Sequence, residues 1–281
     1  MKFELKFVPS VKQKKDPVKQ SIFFMHIPKS GGTTIDHIFA KLSLILKTFD
    51  FHRIKISKDN TNKQLILSQN NKIFPKFISG HLNHDYCDQL ENIYKCTIVR
   101  DPVQRVVSDY KFNIYSNKLS PKNMSFTDYV GGQISKYRDN LITRQFAGLY
   151  GVNKNINNID YDTAVQNLNN FDNLNIFNNW NSFLSSILSE FNLPSILYSK
   201  YQSYNYNFDY SPSKNDIGLI NKYFELDLDL YSKIDENKNI NKQNKSDYNK
   251  NICIVSPYLK TENRLFSIEE IKKILSKIGT K

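Results

Sequence analysis

Residues 27–34, Ile-Pro-Lys-Ser-Gly-Gly-Thr-Thr, gather the groups that hold an oxyanion: Lys29, the glycines Gly31 and Gly32, and the hydroxyls of Ser30, Thr33 and Thr34. Before them runs SIFFMHI (21–27), a continuous apolar stretch of the kind expected of a parallel strand buried on both faces. After them comes TTIDHIFAKLSLILK (33–47), with Ile35, Ile38, Phe39, Leu42 and Leu46 at helical spacing. A helix N-terminus presents unpaired N–H groups and the positive end of its dipole, which suits an anion. The two glycines let the backbone close around that anion, and Lys29 adds a point charge at the mouth. The order is not the Walker pattern, because the lysine precedes the glycines. The phosphate lysine and magnesium hydroxyl of a kinase or ATPase would stand in the wrong places.

A second segment repeats the chemistry. The apolar run Ile93 to Val99 ends in Arg100-Asp101-Pro102, and Ser108 lies about two helical turns further on. Pro102 fits the first turn of a helix, with Asp101 as its cap. An arginine fork plus a hydroxyl holds a second phosphate, at the strand end where α/β folds bind ligands. The competing roles are an ion pair between Arg100 and an acid, and plain solvation of Arg105. A third apolar run, Phe77 to Gly80, ends in His81, placing an imidazole on the same sheet edge. An imidazole near its ordinary pKa suits a general base at neutral pH. His84 is a second candidate near the acceptor, His26 is expected to be packed, and His37 and His52 structural or exposed.

Strands alternating with helices predict an α/β fold with a central parallel sheet flanked by helices. Residues 125–193 look mainly helical, with a strand around 174–177, and 213–234 predicts a late helix. Four segments are expected: a basic N-terminal arm (1–19), the main domain (20–235), a polar linker or surface loop (236–251) and a strand/helix extension (252–281). The 281 residues, 40% of them hydrophobic and 13% aromatic, fill a core, which excludes a disordered chain. Lys and Arg outnumber Asp and Glu by 39 to 27, a net charge of +12 that favours an anionic partner or reflects lysine-rich coding. Cys87, Cys96 and Cys253 show neither metal spacing nor a disulfide framework.

FFMHIPKSGGTT and TIVRDPVQRVVSDY together resemble the two nucleotide segments of the sulfotransferases that use 3′-phosphoadenosine 5′-phosphosulfate. The similarity is closest to the glycan branch, which contains the heparan sulfate 2-O- and 6-O-sulfotransferases and bacterial relatives. Arg138 to Gly148 is similar to an asparagine-led, arginine-containing stretch of that branch. The resemblance implies a P-loop-NTPase-like fold and in-line sulfuryl transfer to a hydroxyl of a carbohydrate, without a metal. It implies that Ser30 to Thr34 hold the 5′-phosphate and that Arg100 and Ser108 hold the 3′-phosphate. Lys29 would meet the leaving oxygen, and His81, in a Gly-His context the branch shares, would be the base. His84 would assist or bind the acceptor, and Asn140 and Arg144 would contact the acceptor or brace the site. Where relatives carry Gly-Leu-Thr-Glu, this chain has Ile176-Phe177-Asn178-Asn179, and Lys200 is the candidate for closing over the 3′-phosphate.

A nucleotide or small-molecule kinase and a non-catalytic nucleotide- or polyanion-binding protein are the competing classes. Nucleic-acid readers show a basic-aromatic platform or a recognition helix, and neither is evident; Tyr201, Tyr204, Tyr206 and Tyr210 form an aromatic run better suited to packing. With no secretory signal and no spanning segment, the expectation is a cytoplasmic enzyme able to rest on a membrane face.

Overall fold

The computed structural model of the chain describes residues 5–11, 21–46, 50–54, 76–86, 88, 92–117, 123–199, 210–236, 251–256 and 263–279. The central sheet is formed by β2 (Ser21–Met25), β3 (Asp50–Ile54), β4 (Lys76–Gly80), β5 (Ile93–Val99) and β6 (Asn173–Ile176), in the order β3-β4-β2-β5-β6. Every pairing in it is parallel. Successive side chains of β2 face opposite ways, as strand geometry requires. Ile22 and Phe24 pack with Ile35, Ile38 and Phe39 of α1 (Gly32–Leu46) and with Phe183 and Leu184 of the helix Trp180–Glu190. Phe23 and Met25 pack on the other face with Leu141, Ile142 and Phe146 of the helix Leu141–Phe146. That double burial is why this strand is apolar from Ile22 to Met25.

Helix α2 (Pro102–Ser116) starts where the sequence predicts: Asp101 caps it by accepting from the Gln104 N–H, and Pro102 fills its first turn. Next come α3 (Phe126–Ser135), α4 (Leu141–Phe146), α5 (Asn158–Asn167) and, after β6, α6 (Trp180–Glu190). The late helix expected over 213–234 is two helices, α7 (Lys214–Tyr223) and α8 (Glu225–Glu236). The break falls at Phe224, whose side chain is fully buried against α2 and α3.

A second sheet is formed by β1 (Lys6–Val8), β7 (Ser195–Tyr198), β8 (Ile252–Val255) and β9 (Leu265–Phe266), in the order β1-β7-β8-β9. Helix α9 (Ile268–Gly279) comes last. The segment expected as a solvated basic arm therefore contains a strand: β1 pairs antiparallel with β7, and Val8 is fully buried. Ser10 N–H donates to Ser195 Oγ at 3.0 Å, and Ser185 Oγ donates to the Pro9 carbonyl at 2.7 Å. Three residues are too few to show a period. Cys87, Lys200, Tyr201, Tyr204, Tyr206, residues 12–19 of the arm and residues 237–250 of the expected linker lie outside the described residues.

Candidate functional site

The parallel strands end on one edge, and each contributes, at its end or just beyond it, to the lining of one cavity of about 880 Å³. Arg53 comes from β3, His81 from just after β4, Lys29 and Gly31 to Thr34 from the turn after β2, Arg100 from beyond β5 and Phe177 from beyond β6. Ser108, Asp109 and Phe112 enter from α2, and Trp180 from the start of α6.

The turn between β2 and α1 holds Lys29 at φ 69° and Gly31 at φ 84°. A lysine in the left-handed region costs roughly 1–2 kcal/mol, strain of the kind that collects at ligand sites. A Cβ on Gly31 would stand 2.7 Å from the Trp180 ring, and one on Gly32 would stand 2.1 Å from the His26 ring. Both glycines are thus required by close packing beneath the loop, and Gly31 also by its left-handed backbone. Thr33 and Thr34 line the cavity. Ser30 does not: it is 1% exposed, and its N–H donates to the Ile27 carbonyl at 3.2 Å.

The Lys29 ammonium sits 4.0 Å from the centre of the Phe112 ring. Burial, offset by Asp109 and reinforced by Arg100 and Arg105, lowers its pKa to about 8. Arg100 donates from Nη1 to the Lys29 carbonyl at 3.3 Å and lies 5.2 Å from the Phe177 ring centre. Arg100 and Ser108 therefore share the cavity with the loop, on its β5 side.

His81 is fixed by its Nδ1, 2.8 Å from the His26 carbonyl oxygen. A carbonyl only accepts, so Nδ1 carries the proton and the lone pair is on Nε2. Gln145, which is fully buried, donates to the same carbonyl at 3.4 Å and to that of Leu82 at 3.0 Å. The His81 pKa is lowered, chiefly by burial; Arg53 lowers it further, while the bond to His26 and the charge of Asp109 raise it. His26 is packed as expected, 4% exposed with its ring centre 4.4 Å from that of His81, yet it also lines the cavity. Its pKa lies well below the ordinary imidazole value, through burial and then the neighbouring His81, Arg53 and Lys29.

His84, Asn140 and Arg144 are not among the residues lining the cavity. Arg144 is 1% exposed and donates from Nε to the Asp139 carbonyl, from Nη1 to the Lys154 carbonyl and from Nη2 to Asp139 Oδ1. Asn140, at φ 44°, accepts from the Asp227 N–H and donates to the Tyr223 carbonyl. These bonds fit bracing, the second of the two roles expected of that pair. His84 is half-buried beside Gly148, and burial lowers its pKa.

Sequence reasoning does not single out Arg53, Phe112, Trp180 or Gln145. Phe112 carried a usable signal, since it stands four residues after Ser108 and shares its helix face. The others are set by tertiary packing alone. Among the described residues no group of three His, Cys, Asp or Glu side chains is placed to hold a metal, and no helix is long and apolar enough to cross a membrane. Comparison with curated proteins finds no match. A family model described as "Sulfotransferase family" matches residues 17–232, which include the phosphate-type loop, His81, Arg100 and Ser108, and the chain belongs to that family.

Proposed function

We propose that the protein transfers a sulfuryl group from 3′-phosphoadenosine 5′-phosphosulfate to a hydroxyl of a carbohydrate acceptor. The observation that carries this reading is the shared cavity: a tautomerically fixed imidazole, a lysine cation and a glycine loop line it together. The loop fits an anionic group, because its two glycines leave no Cβ over the backbone and its φ values turn the chain around a concave edge. When bound, the donor supplies an electrophilic sulfur and a phosphate leaving group. His81 Nε2 takes the proton of the acceptor hydroxyl, as its Nδ1–H bond to His26 dictates. Lys29, together with the loop N–H groups of Gly31 to Thr33, meets negative charge on the leaving oxygen. Arg100 and Ser108 hold the phosphate on the ribose. Asn178, Asn179, Asn181 and Ser182 line the cavity beside Trp180, a wall of amides, a hydroxyl and an aromatic ring that suits a sugar.

Thermal unfolding with adenosine 3′,5′-bisphosphate, ATP–magnesium and a DNA oligomer tests the reading. The bisphosphate alone is expected to stabilise the chain, by about 2.7 kcal/mol at a hundred times its Kd. His81→Ala is expected to keep that stabilisation and lose donor-dependent sulfation of carbohydrate acceptors by at least about a hundredfold. No response to the bisphosphate, or wild-type turnover in the variant, contradicts the mechanism.

A further inference from the structure

Asp36 has no part in the chemistry above, yet it is a carboxylate only 4% exposed beneath the cavity. It lies on α1 one turn after Gly32, among the fully buried Ile35, Ile38 and Phe39. Burying a carboxylate costs several kcal/mol unless its charge is met; burial raises the Asp36 pKa, and the Ser79 hydroxyl and the Arg53 charge counter that rise. Oδ1 accepts from the buried Ser79 hydroxyl at 2.5 Å. Oδ2 is 3.3 Å from Arg53 Nε and 3.8 Å from His26 Nδ1. One carboxylate on the loop helix thus reaches the ends of β2, β3 and β4. Those partners converge on His81. Ser79 stands two residues before it, the His26 carbonyl holds its Nδ1–H, and Arg53 lines the same cavity.

We propose that Asp36 is a positioning residue for the base: it locks the strand end carrying His81 to the donor-loop helix and holds the Arg53 guanidinium back from the imidazole. This rests on His81 acting as the base. The groups facing His81 are Arg53 from β3, the ring and carbonyl of His26 after β2, Asp109 from α2 and the Tyr150 ring, 6.4 Å away, beyond α4. Lys29 faces His26 from the loop. Arg53 opposes protonation of both histidines, while Asp109 favours it on His81. With Asp36 neutralised, the Arg53 cation loses the carboxylate that holds it and acts on His81 with its full charge.

Histidine ¹⁵N NMR of the whole chain tests this without an acceptor, with His81→Gln supplying the assignment. Asp36→Asn keeps an acceptor for the Ser79 hydroxyl and removes the charge. The His81 midpoint is expected to fall by about half a pH unit or more. Arg53→Gln is expected to raise it, and the double variant to keep the raised midpoint of Arg53→Gln, a non-additivity that marks coupled neighbours. A His81 midpoint and tautomer unchanged in both single variants overturn the proposal. Should Asp36→Asn not fold, Arg53→Gln and Ser79→Ala decide. A raised midpoint in the first and a weakened Nδ1–H tautomer in the second support Asp36, and two wild-type spectra overturn it. Calorimetry with adenosine 3′,5′-bisphosphate is run separately: failure to bind contradicts the proposed transfer, whereas the His81 titration judges Asp36 by itself.

Discussion

Burial acts on Lys29 and His81 in the same direction and leaves them on opposite sides of neutrality. Burial lowers the Lys29 pKa to about 8 and brings His81 below the ordinary imidazole value. Around neutral pH the lysine is a cation and the histidine a free base. The lysine sets the sign for ligand binding. An anion bound beside Lys29 favours the charged form, so affinity is full below about pH 8 and lost as pH rises through that value. Above it, the affinity for adenosine 3′,5′-bisphosphate is expected to fall by up to about tenfold per pH unit, one proton being taken up on binding. Lys29→Arg keeps its charge in this range and is expected to flatten the profile. Calorimetry in buffers of different ionisation enthalpy reads both the slope and the proton. A flat wild-type profile between about pH 7.5 and 9.5 contradicts the assignment, since by then the phosphates have finished titrating. The residue types of this pair were legible in the sequence, as was their spacing from strand ends. The tautomer of His81 was not, because it depends on a carbonyl 55 residues away in the chain.

At the scale of elements, legibility tracked burial. β2 and β5 are covered on both faces and are apolar almost throughout, so periodicity finds them. β3 reads Asp-Phe-His-Arg-Ile and only Ile54 is buried, so no pattern separates it from a loop, although it delivers Arg53. The short helix α4 shows the same limit. Its residues Leu141 to Phe146 are all buried, and its first N–H groups are capped from a distance: Asp227, on α8, accepts from Ile142 N–H, Thr143 N–H and the Thr143 hydroxyl. An arginine that binds a ligand and one that braces a loop carry the same letter, and only the three internal acceptors of Arg144 separate them. Arg144→Ala removes those bonds and leaves the Asp139 and Lys154 carbonyls without their donor. It is expected to lower stability by about 3 kcal/mol in urea unfolding while leaving bisphosphate affinity within about threefold. Arg144→Lys is expected to recover little, because one ammonium does not reproduce a planar fork aimed at three acceptors. Weakened binding at unchanged stability would return Arg144 to the ligand.

The whole molecule closes around β7, which β1 flanks on one side and β8 on the other, strands nearly 250 residues apart in sequence. Both flanking strands lie outside the region matched by the family model. β8 is buried on both faces. Cys253 and Val255 belong to the cluster formed with α1, and Ile252 and Ile254 to the one formed with α9. Each fully buried aliphatic side chain contributes about 2 kcal/mol, so the loss of this strand is comparable with the roughly 5–15 kcal/mol typical of an entire domain. A chain cut after residue 250 is therefore expected to lose its cooperative melt in near-ultraviolet circular dichroism. Removal of residues 1–11 takes away Val8 from the same cluster and Lys6 from the cavity lining. That shorter chain is expected to melt several degrees lower and to bind the bisphosphate more weakly. The substitution Lys6→Ala separates the two effects, since it keeps the strand and removes only the charge. A two-state melt in the chain cut after residue 250, at the temperature of the full chain, would make β8 an appendage and confine the working fold to residues before it.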